Sequence, residues 1–334
     1  MEWWENLLQK LATTALEPPS PERVARALRV GEMYYIEGKS QQAIARSLGC
    51  SVSTVSRLLR DALEYGIVTI TVRNPFAVAD RLAKELESRF GLARAVVVGV
   101  HTKEEGALAI AVGRAAASLA IEILQEGARV GLSWGRTMLA LVDFASSSAP
   151  QRAITVVPLL GGIAQIKPEL QVDELSVRLA RAFGGEVVLF HAPAVLNRPE
   201  AKRELLQEPS IQRATGLWRN LDVALFGIGA EIPHSPMLST GLYNDEEVGE
   251  LIRLGAVGDI AGNFFDERGV PLDSAANRKL LAIDFETLKR IPIRLAAAGG
   301  PAKVRAICGA IRGGMVTYLV TDESTAEALL QMGG

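Results

Sequence analysis

The chain has 334 residues, of which 49% are hydrophobic and 22% charged, and its formal net charge is −2. This length predicts about two domains, and the composition is typical of a globular protein with a sizeable core. A run of about 18 uncharged apolar residues is missing, which argues against a membrane span, and two cysteines with three scattered histidines offer no disulfide framework, metal cluster or cofactor motif.

Residues 1–19 are expected to form an N-terminal arm. Within it, residues 2–16 could form a short helix whose apolar side carries Trp3, Leu7, Leu8 and Leu11. That helix is either a loosely packed arm or an element of self-association. The early acidic residues and the missing basic region argue against a secretory signal, and the two cysteines fit a reducing cytoplasm.

A helical domain is predicted over residues 20–75, after the linker signal LEPPSP at 16–21. Pro21 suits the first turn of a helix. The side of this helix that packs on the next two is expected to carry Val24, Leu28 and Tyr35. A second helix begins at the capping residue Ser40, carries apolar residues at Ala43, Ile44 and Leu48, and ends at Gly49.

The next stretch predicts a third helix, capped by Ser51 or Ser53, so that residues 40–60 have the spacing of a helix-turn-helix. Its buried stripe would be Val52, Val55, Leu58 and Leu59. In such a motif the second helix enters the major groove of DNA. The outward, candidate DNA-binding side chains are Ser51, Ser53, Thr54, Ser56, Arg57 and Arg60. Residues 67–72 alternate like the short strand pair of a winged helix.

An ordinary pair of amphipathic helices would show the same pattern, so charge is a second criterion. From Ser20 to Arg73 there are eight Lys or Arg and five Asp or Glu, a local charge of +3, which leaves −5 for the rest of the chain. A basic end on an acidic body favours a DNA reader attached to another domain. Arg57 could contact a base edge, contact a phosphate or remain solvated.

Residues 76–90 follow as a separate helix, with apolar residues at helical spacing from Phe76 to Phe90. Because this helix lies between the DNA reader and the rest of the chain, it is a natural coupling element. The alternative is that it is simply the first helix of the second domain.

From residue 91 to 334 strand and helix patterns alternate, which predicts a doubly wound, mostly parallel sheet covered on both faces. Strands are expected at 95–100, 128–133, 153–159, 186–190, 222–229, 293–300 and 315–322, and helices at 108–125, 135–145, 172–184 and 301–314. Ligands of such sheets bind at the carboxyl ends of the strands.

Glycine-rich polar loops follow several of these strands. The loop Ser133-Trp134-Gly135-Arg136-Thr137 joins a strand to a helix, where backbone amides favour an anion. It is therefore a candidate phosphate cradle, with a tight structural turn as the alternative. The P-loop pattern GxxxxGK[ST] and the dinucleotide pattern GxGxxG are both absent from it.

Four stretches resemble the SorC family of bacterial sugar-responsive transcriptional regulators: GLSWGRT (131–137), GDIAGNFFDERG (258–269), AGGPAKVRAICGAIRGG (298–314) and LVTDESTAEALL (319–330). The resemblance implies a winged helix-turn-helix followed by an effector domain of the sugar-phosphate isomerase/CoA-transferase-like type. It also implies operator DNA, a sugar or sugar-phosphate effector and copies of the same chain, in a dimer or tetramer, as partners.

The resemblance also implies roles for individual residues. Gly135, Arg136 and Thr137 would hold a phosphate, Lys303 would reach a phosphate or carbonyl, and Asp259 would bind sugar hydroxyls. Pocket-lining roles fall to Gly161 and Gly162, and contact with the far end of the sugar falls to Asp173. Asp259 could instead cap a turn, and Lys303 could be solvated. Leu160 departs from relatives that carry a basic residue before the paired glycines, which argues against a second phosphate site.

The rival hypothesis is an enzyme on the same fold, such as a sugar-phosphate isomerase or deaminase. The stretch FGIGAEIPHSPM at 226–237 resembles a loop of that group, but Pro233 replaces the glycine before His234 and the Asn-Glu-Pro end is missing. That chemistry needs a positioned general base. His234 is better interpreted as a residue of the pocket rim or the surface, and we expect a regulator and not an enzyme.

Overall fold

The computed structural model describes residues 20–70, 75–100, 102, 104–232 and 234–332. The chain divides into two compact units, Met1–Arg73 and Asn74–Gly334. The arm helix expected at 2–16 lies outside the described residues.

The first unit is helical. It contains α1 (Pro21–Gly31), a π-helical turn (Glu32–Ile36), α2 (Gln41–Leu48) and α3 (Val52–Glu64). As expected, Ser40 caps α2 and Gly49 ends it in a left-handed conformation, while Ser51 rather than Ser53 caps α3. The core joins all three helices through Ala27, Val30, Met33, Ile44, Ala45, Val55, Leu58, Leu59 and Ala62.

Several expectations for this unit were wrong. Leu28 is exposed because α1 turns Ala27, Val30 and Gly31 toward the core, and Tyr35 is exposed because the π-helical turn buries Met33 instead. Leu48 and Val52 are also exposed, since each flanks the turn between α2 and α3. The wing strand is not formed over residues 67–70, and the remainder of the predicted strand pair falls on residues outside the described part.

The second unit is organised around a parallel sheet, as the sequence predicted. The structure adds the order of its seven strands, β1-β9-β8-β5-β2-β3-β4. Its strands are β1 (Arg94–Val98), β2 (Arg129–Leu132), β3 (Thr155–Pro158), β4 (Glu186–Val187), β5 (Val223–Phe226), β8 (Ile293–Ala297) and β9 (Tyr318–Asp322). A separate antiparallel pair is formed by β6 (Gly258–Ile260) and β7 (Asn263–Phe265).

The helices of this unit are α4 (Pro75–Phe90), α5 (Glu105–Ile123), α6 (Arg136–Ser148), α7 (Val172–Ala182), α8 (Pro199–Leu205), α9 (Pro209–Leu217), α10 (Asp245–Arg253), α11 (Ala275–Arg278), α12 (Phe285–Arg290), α13 (Val304–Arg312) and α14 (Glu323–Met332). One hydrophobic cluster takes residues from α5, α6 and α7. Another takes residues from α4, α9, α12, α13 and α14. Helices therefore cover both faces of the sheet, which is the doubly wound arrangement.

Helix α4 packs within the second unit, against β1 and α14. Its Leu82 and Leu86 are buried, and the Glu87 side chain accepts a hydrogen bond of 2.8 Å from the backbone N–H of Ala95. The helix is thus an integral part of the sheet domain rather than a separate segment, whatever its role in coupling.

Among the described helices, α5 alone is long and apolar enough to cross a membrane by length and composition, with a mean hydropathy of 1.6. Its Val112, Ala116 and Ala120 are buried in the core cluster of one sheet face. The apolar composition of α5 is that of a core helix, with Arg114 on its exposed side.

Candidate functional site

A cavity of about 1200 Å³ lies at the carboxyl ends of the central strands. Its wall includes the loops that follow β2, β5 and β8, and β5 lies between the other two strands in the sheet. Loops and helix N-termini converge at this edge of a doubly wound sheet, which is where ligands bind. The structure brings together in this wall the predicted residues Ser133, Gly135, Arg136, Thr137, Asp259 and Lys303.

The loop after β2 presents an uncapped helix start to the cavity. Gly135 has φ 115° and ψ 168°, a conformation that favours glycine. It precedes α6, and no described side chain caps this helix. The side chain of Ser133 is buried and accepts a hydrogen bond of 3.4 Å from the N–H of Gly227. The first amides of α6 can therefore bind a ligand anion.

The loop after β8 has the same local geometry. Gly300, with φ 103° and ψ 149°, precedes the 3₁₀ turn Pro301–Lys303 that leads into α13. Its N–H donates to Asp322 Oδ2 at 3.0 Å and to Thr325 Oγ1 at 2.8 Å. A Cβ on Gly299 would come within 2.4 Å of the same Asp322 oxygen. The end of β9 thus fixes the loop that carries Lys303.

Lys303 is a partly buried cation in the cavity wall. Burial lowers the pKa of Lys303, while the negative charges of Asp259 and Glu105 act in the opposite direction. Burial disfavours the charged form of an ammonium group, so an anion that reached Lys303 would stabilise its protonated form.

Asp259 forms the carboxylate of the cavity floor, and its side chain is buried. Ser235 Oγ donates to its Oδ1 at 3.0 Å, and the N–H of Gly262 donates to its Oδ2 at 3.2 Å. Burial raises the pKa of Asp259 despite these two hydrogen bonds. Asp259 therefore caps the turn to Gly262, which was one of its two expected roles, and it also lines the cavity.

Sequence reasoning missed Glu105, the first residue of α5. Its Oε2 accepts a hydrogen bond of 2.8 Å from Arg136 Nη2, and both residues line the cavity. His234 lies in the same wall. The available signal was that Glu105 opens the helix after β1, and so belongs to the same edge of the sheet as the glycine-rich loops.

A loop over residues 163–171 was also missed. It contributes Gln165, Ile166, Lys167 and Leu170 to the cavity wall. The Gln171 side chain bonds both the N–H and the carbonyl of Ile163, which ties the two ends of the loop together. The sequence shows only a polar stretch after a strand, and this does not indicate that its two ends are joined or that it lines a cavity.

Three predicted residues lie elsewhere. Gly161 is absent from the cavity wall because it packs against a neighbouring backbone, where a Cβ would approach the carbonyl oxygen of Ala192 to 2.5 Å. Gly162 donates to the same carbonyl at 2.9 Å. Asp173 lies in the first turn of α7, with His191 Nδ1 3.8 Å from its Oδ2. Burial raises the pKa of Asp173, and its carboxylate is outside the cavity wall.

In the first unit, α3 presents a polar face. Ser53, Ser56, Arg57 and Arg60 are exposed along it. Ser51 is occupied locally, since its Oγ accepts from the N–H of Thr54 at 3.1 Å and lies 2.8 Å from the hydroxyls of both Ser53 and Thr54. The hydroxyls of Ser51, Ser53 and Thr54 therefore bond one another at the start of α3, while the exposed side chains of Ser56, Arg57 and Arg60 are available to a partner.

Two family models match the chain. One, described as "Putative sugar-binding domain", matches residues 74–331. The other, "Sigma-70, region 4", matches residues 32–65 and therefore covers the helix-turn-helix. The boundary between the two matches falls at the boundary between the two units of the structure.

The chain is similar to known regulators over nearly its whole length. It is 31% identical to the sorbitol operon regulator of Klebsiella pneumoniae over 305 residues, which cover 91% of this chain and 97% of the relative. It is 32% identical to the deoxyribonucleoside regulator of Bacillus subtilis (strain 168), with 92% and 98% covered.

The crystal structure of the full-length regulator SorC from Klebsiella pneumoniae has a TM-score of 0.73 and 30% identity to this chain, and covers 94% of this chain and 100% of that one. These relatives regulate transcription, so the alternative of an isomerase or deaminase is not supported. The chain therefore belongs to the SorC family and is a sugar-responsive transcriptional regulator of carbohydrate operons.

Proposed function

We propose that the effector of this regulator is a small sugar phosphate bound in the cavity at the carboxyl ends of β2, β5 and β8. The phosphate binds the first amides of α6 together with Arg136 and Lys303. The sugar hydroxyls bind Asp259. The carboxyl group of Asp259 accepts one hydrogen bond from Ser235. Whether it is ionised or neutral, it retains capacity to bond a sugar hydroxyl as well.

The observation that carries this proposal is the convergence of two similar loops on one cavity. Gly135 and Gly300 both lead from a strand into a helical turn with nearly the same backbone angles. Arg136 and Lys303 follow them and lie in the same wall. Uncapped amides and two cations favour a phosphate over a neutral group.

For the DNA interface, we propose that the exposed face of α3 enters the major groove. Ser53, Ser56, Arg57 and Arg60 point away from the core of the first unit. Arginine suits guanine edges and phosphates, and hydroxyls suit either bases or phosphates. Such a protein acts in the cytoplasm, where operator DNA is.

For the assembly, we propose at least a dimer, and a tetramer by analogy with the family. One short recognition helix reads few base pairs, and paired half-sites supply the missing affinity. Helix α4 is the proposed coupling element, because it follows the DNA-binding unit in sequence and packs on β1. The loop after β1 contributes Val100 and Thr102 to the cavity wall.

The test is a thermal-shift screen of sugars and matching sugar phosphates, followed by DNA binding. A ligand that binds only the folded form raises the melting temperature. We expect a sugar phosphate to raise it more than the unphosphorylated sugar, and to change operator affinity in fluorescence anisotropy. A response confined to unphosphorylated sugars would contradict the phosphate assignment.

A further inference from the structure

The cationic end of the cavity already holds an anionic group of the protein. Glu105 and Arg136 are the first residues of α5 and α6, and their side chains form a hydrogen-bonded ion pair of 2.8 Å. The pair links the N-termini of the two helices across the wall of the cavity.

Glu105 lies beside the groups that would hold an effector anion. The pKa of Glu105 is lowered, mainly by the hydrogen bond from Arg136, and Lys303 and His234 lower it further. All three of these residues line the cavity. A carboxylate therefore already occupies Arg136, one of the groups to which the proposed function, on which this inference rests, assigns the phosphate.

Both anions would compete for Arg136. Glu105 Oε2 already accepts a hydrogen bond from Arg136 Nη2 at 2.8 Å. A phosphate held by Arg136 and Lys303 would bring a second negative group next to this carboxylate, and like charges at such distances repel. Glu105 therefore opposes phosphate binding for as long as it stays on Arg136.

Glu105 can leave at little cost. Its side chain is 77% exposed and that of Arg136 is 55% exposed, and exposed ion pairs contribute little to stability. A phosphate offers Arg136 a more highly charged partner with more acceptor oxygens, and the uncapped amides of α6 add hydrogen bonds that Glu105 does not receive.

We infer that Glu105 is an internal competitor of the effector, and that effector phosphate replaces its carboxylate on Arg136. Without effector, the pair ties the start of α5 to the start of α6. With effector, this tie is lost, and the connection from β1 to α5 is released. Because β1 is packed by α4, the exchange acts on the strand next to the proposed coupling helix.

The test compares binding of inorganic phosphate to wild type, Glu105→Gln and Glu104→Gln by calorimetric titration at about 0.15 M salt. Glu104 is the matched control, since it is exposed, adjacent and outside the cavity wall. Loss of a competitor should make Glu105→Gln bind phosphate about two- to fivefold more tightly. Glu104→Gln should bind like wild type, because solvent and salt screen its charge.

Equal binding to wild type and Glu105→Gln, weaker binding to that variant, or no phosphate binding to either protein would overturn the exchange. Weaker binding would make Glu105 a direct ligand. A sugar phosphate that still changes operator binding by the wild-type protein would leave the proposed function standing in each case. Because Glu105 is exposed, its substitution should leave the fold intact, and circular dichroism checks this.

Discussion

Gly229 leaves just enough space for the carboxylate of Asp259. A Cβ built on Gly229 would lie 1.9 Å from Asp259 Oδ1 and 2.7 Å from its Cγ. The N–H of Gly229 also donates to the backbone oxygen of Asp259 at 2.9 Å. The loop after β5 and the strand β6 therefore hold the floor of the cavity together through this close approach.

Gly229→Ala should displace Asp259 and so weaken effector binding. The same substitution should lower the free energy of unfolding by about 1–3 kcal/mol, because the added methyl group overpacks a buried contact. Gly227→Ala is the control from the same loop, since its Cβ would meet only the oxygen of Ala297 at 3.8 Å. Urea denaturation measures the free energy of unfolding of both variants, and equal values for the two would contradict the close packing at Gly229.

The raised pKa of Asp259 predicts a pH dependence of stability. Burial makes the folded state hold this proton more tightly than the unfolded chain does, where the value is near 3.8. The stabilisation that comes from this proton is complete below the unfolded-state value and is lost as the pH rises through the folded-state pKa. Between these two pKa values, the free energy of unfolding should fall less with rising pH in Asp259→Asn than in wild type. Parallel urea titrations across pH test this, and identical slopes would argue against it.

Arg57→Ala should weaken operator binding by about 1–3 kcal/mol if Arg57 contacts a base edge, and should relax preference at one base pair. Arg29→Ala is a suitable control, since Arg29 lies on α1 and pairs with Glu32 and Glu37. Anisotropy titrations against the operator and its point variants measure both effects. Unchanged affinity and preference would remove Arg57 from the interface.

An ion pair joins α1 to α3 in the first unit. Arg23 donates to both oxygens of Asp61, at 2.8 Å and 3.0 Å, and Asp61 is only 4% exposed. Arg23→Ala leaves that buried carboxylate unpaired, so the first unit should melt at a lower temperature. Arg26→Ala removes an exposed charge from the same helix as a control. A calorimetric scan in which both variants melt alike would contradict this role.

The sequence predicted those features that arise from short-range patterns. Periodicity identified the parallel sheet, and the capping residues Ser40 and Gly49 bounded α2 correctly. The buried face of α1 was misplaced because it is set by contacts with α2 and α3, which are distant in sequence and bury Ala27 and Val30 instead of Leu28. The same limit applies to the cavity. Glycine-rich loops revealed the residues after β2 and β8, whereas Glu105 became visible only once its contact with Arg136 was known.

Gly161 and Asp173 were predicted to contact the effector, but the structure places both outside the cavity wall. Both follow strand patterns at the correct edge of the sheet, yet Gly161 serves a close backbone approach and Asp173 lies outside the cavity wall. The alternation of strands and helices in the sequence shows which residues lie at the carboxyl edge of the sheet. Whether the side chain of such a residue points into the cavity depends on tertiary packing, which a single sequence does not reveal.

In the proposed function, a sugar phosphate binds across the loop 133–137 and Lys303 and thereby changes DNA affinity. A ligand shifts the equilibrium between two states only if it prefers one of them, so loss of its anchor should remove the response. Lys289→Ala is the matched control, since Lys289 lies on α12 and pairs with Glu286 outside the cavity.

The most direct measurement is a calorimetric titration of wild type, Lys303→Ala and Lys289→Ala with the sugar phosphate that raises the melting temperature most, paired with operator anisotropy. Loss of a charged hydrogen bond predicts at least about tenfold weaker binding by Lys303→Ala. Its effector-free operator affinity should stay near wild type, and its response to the effector should be lost. If Lys303→Ala binds the sugar phosphate as tightly as wild type and responds equally on DNA, the proposed effector site is wrong.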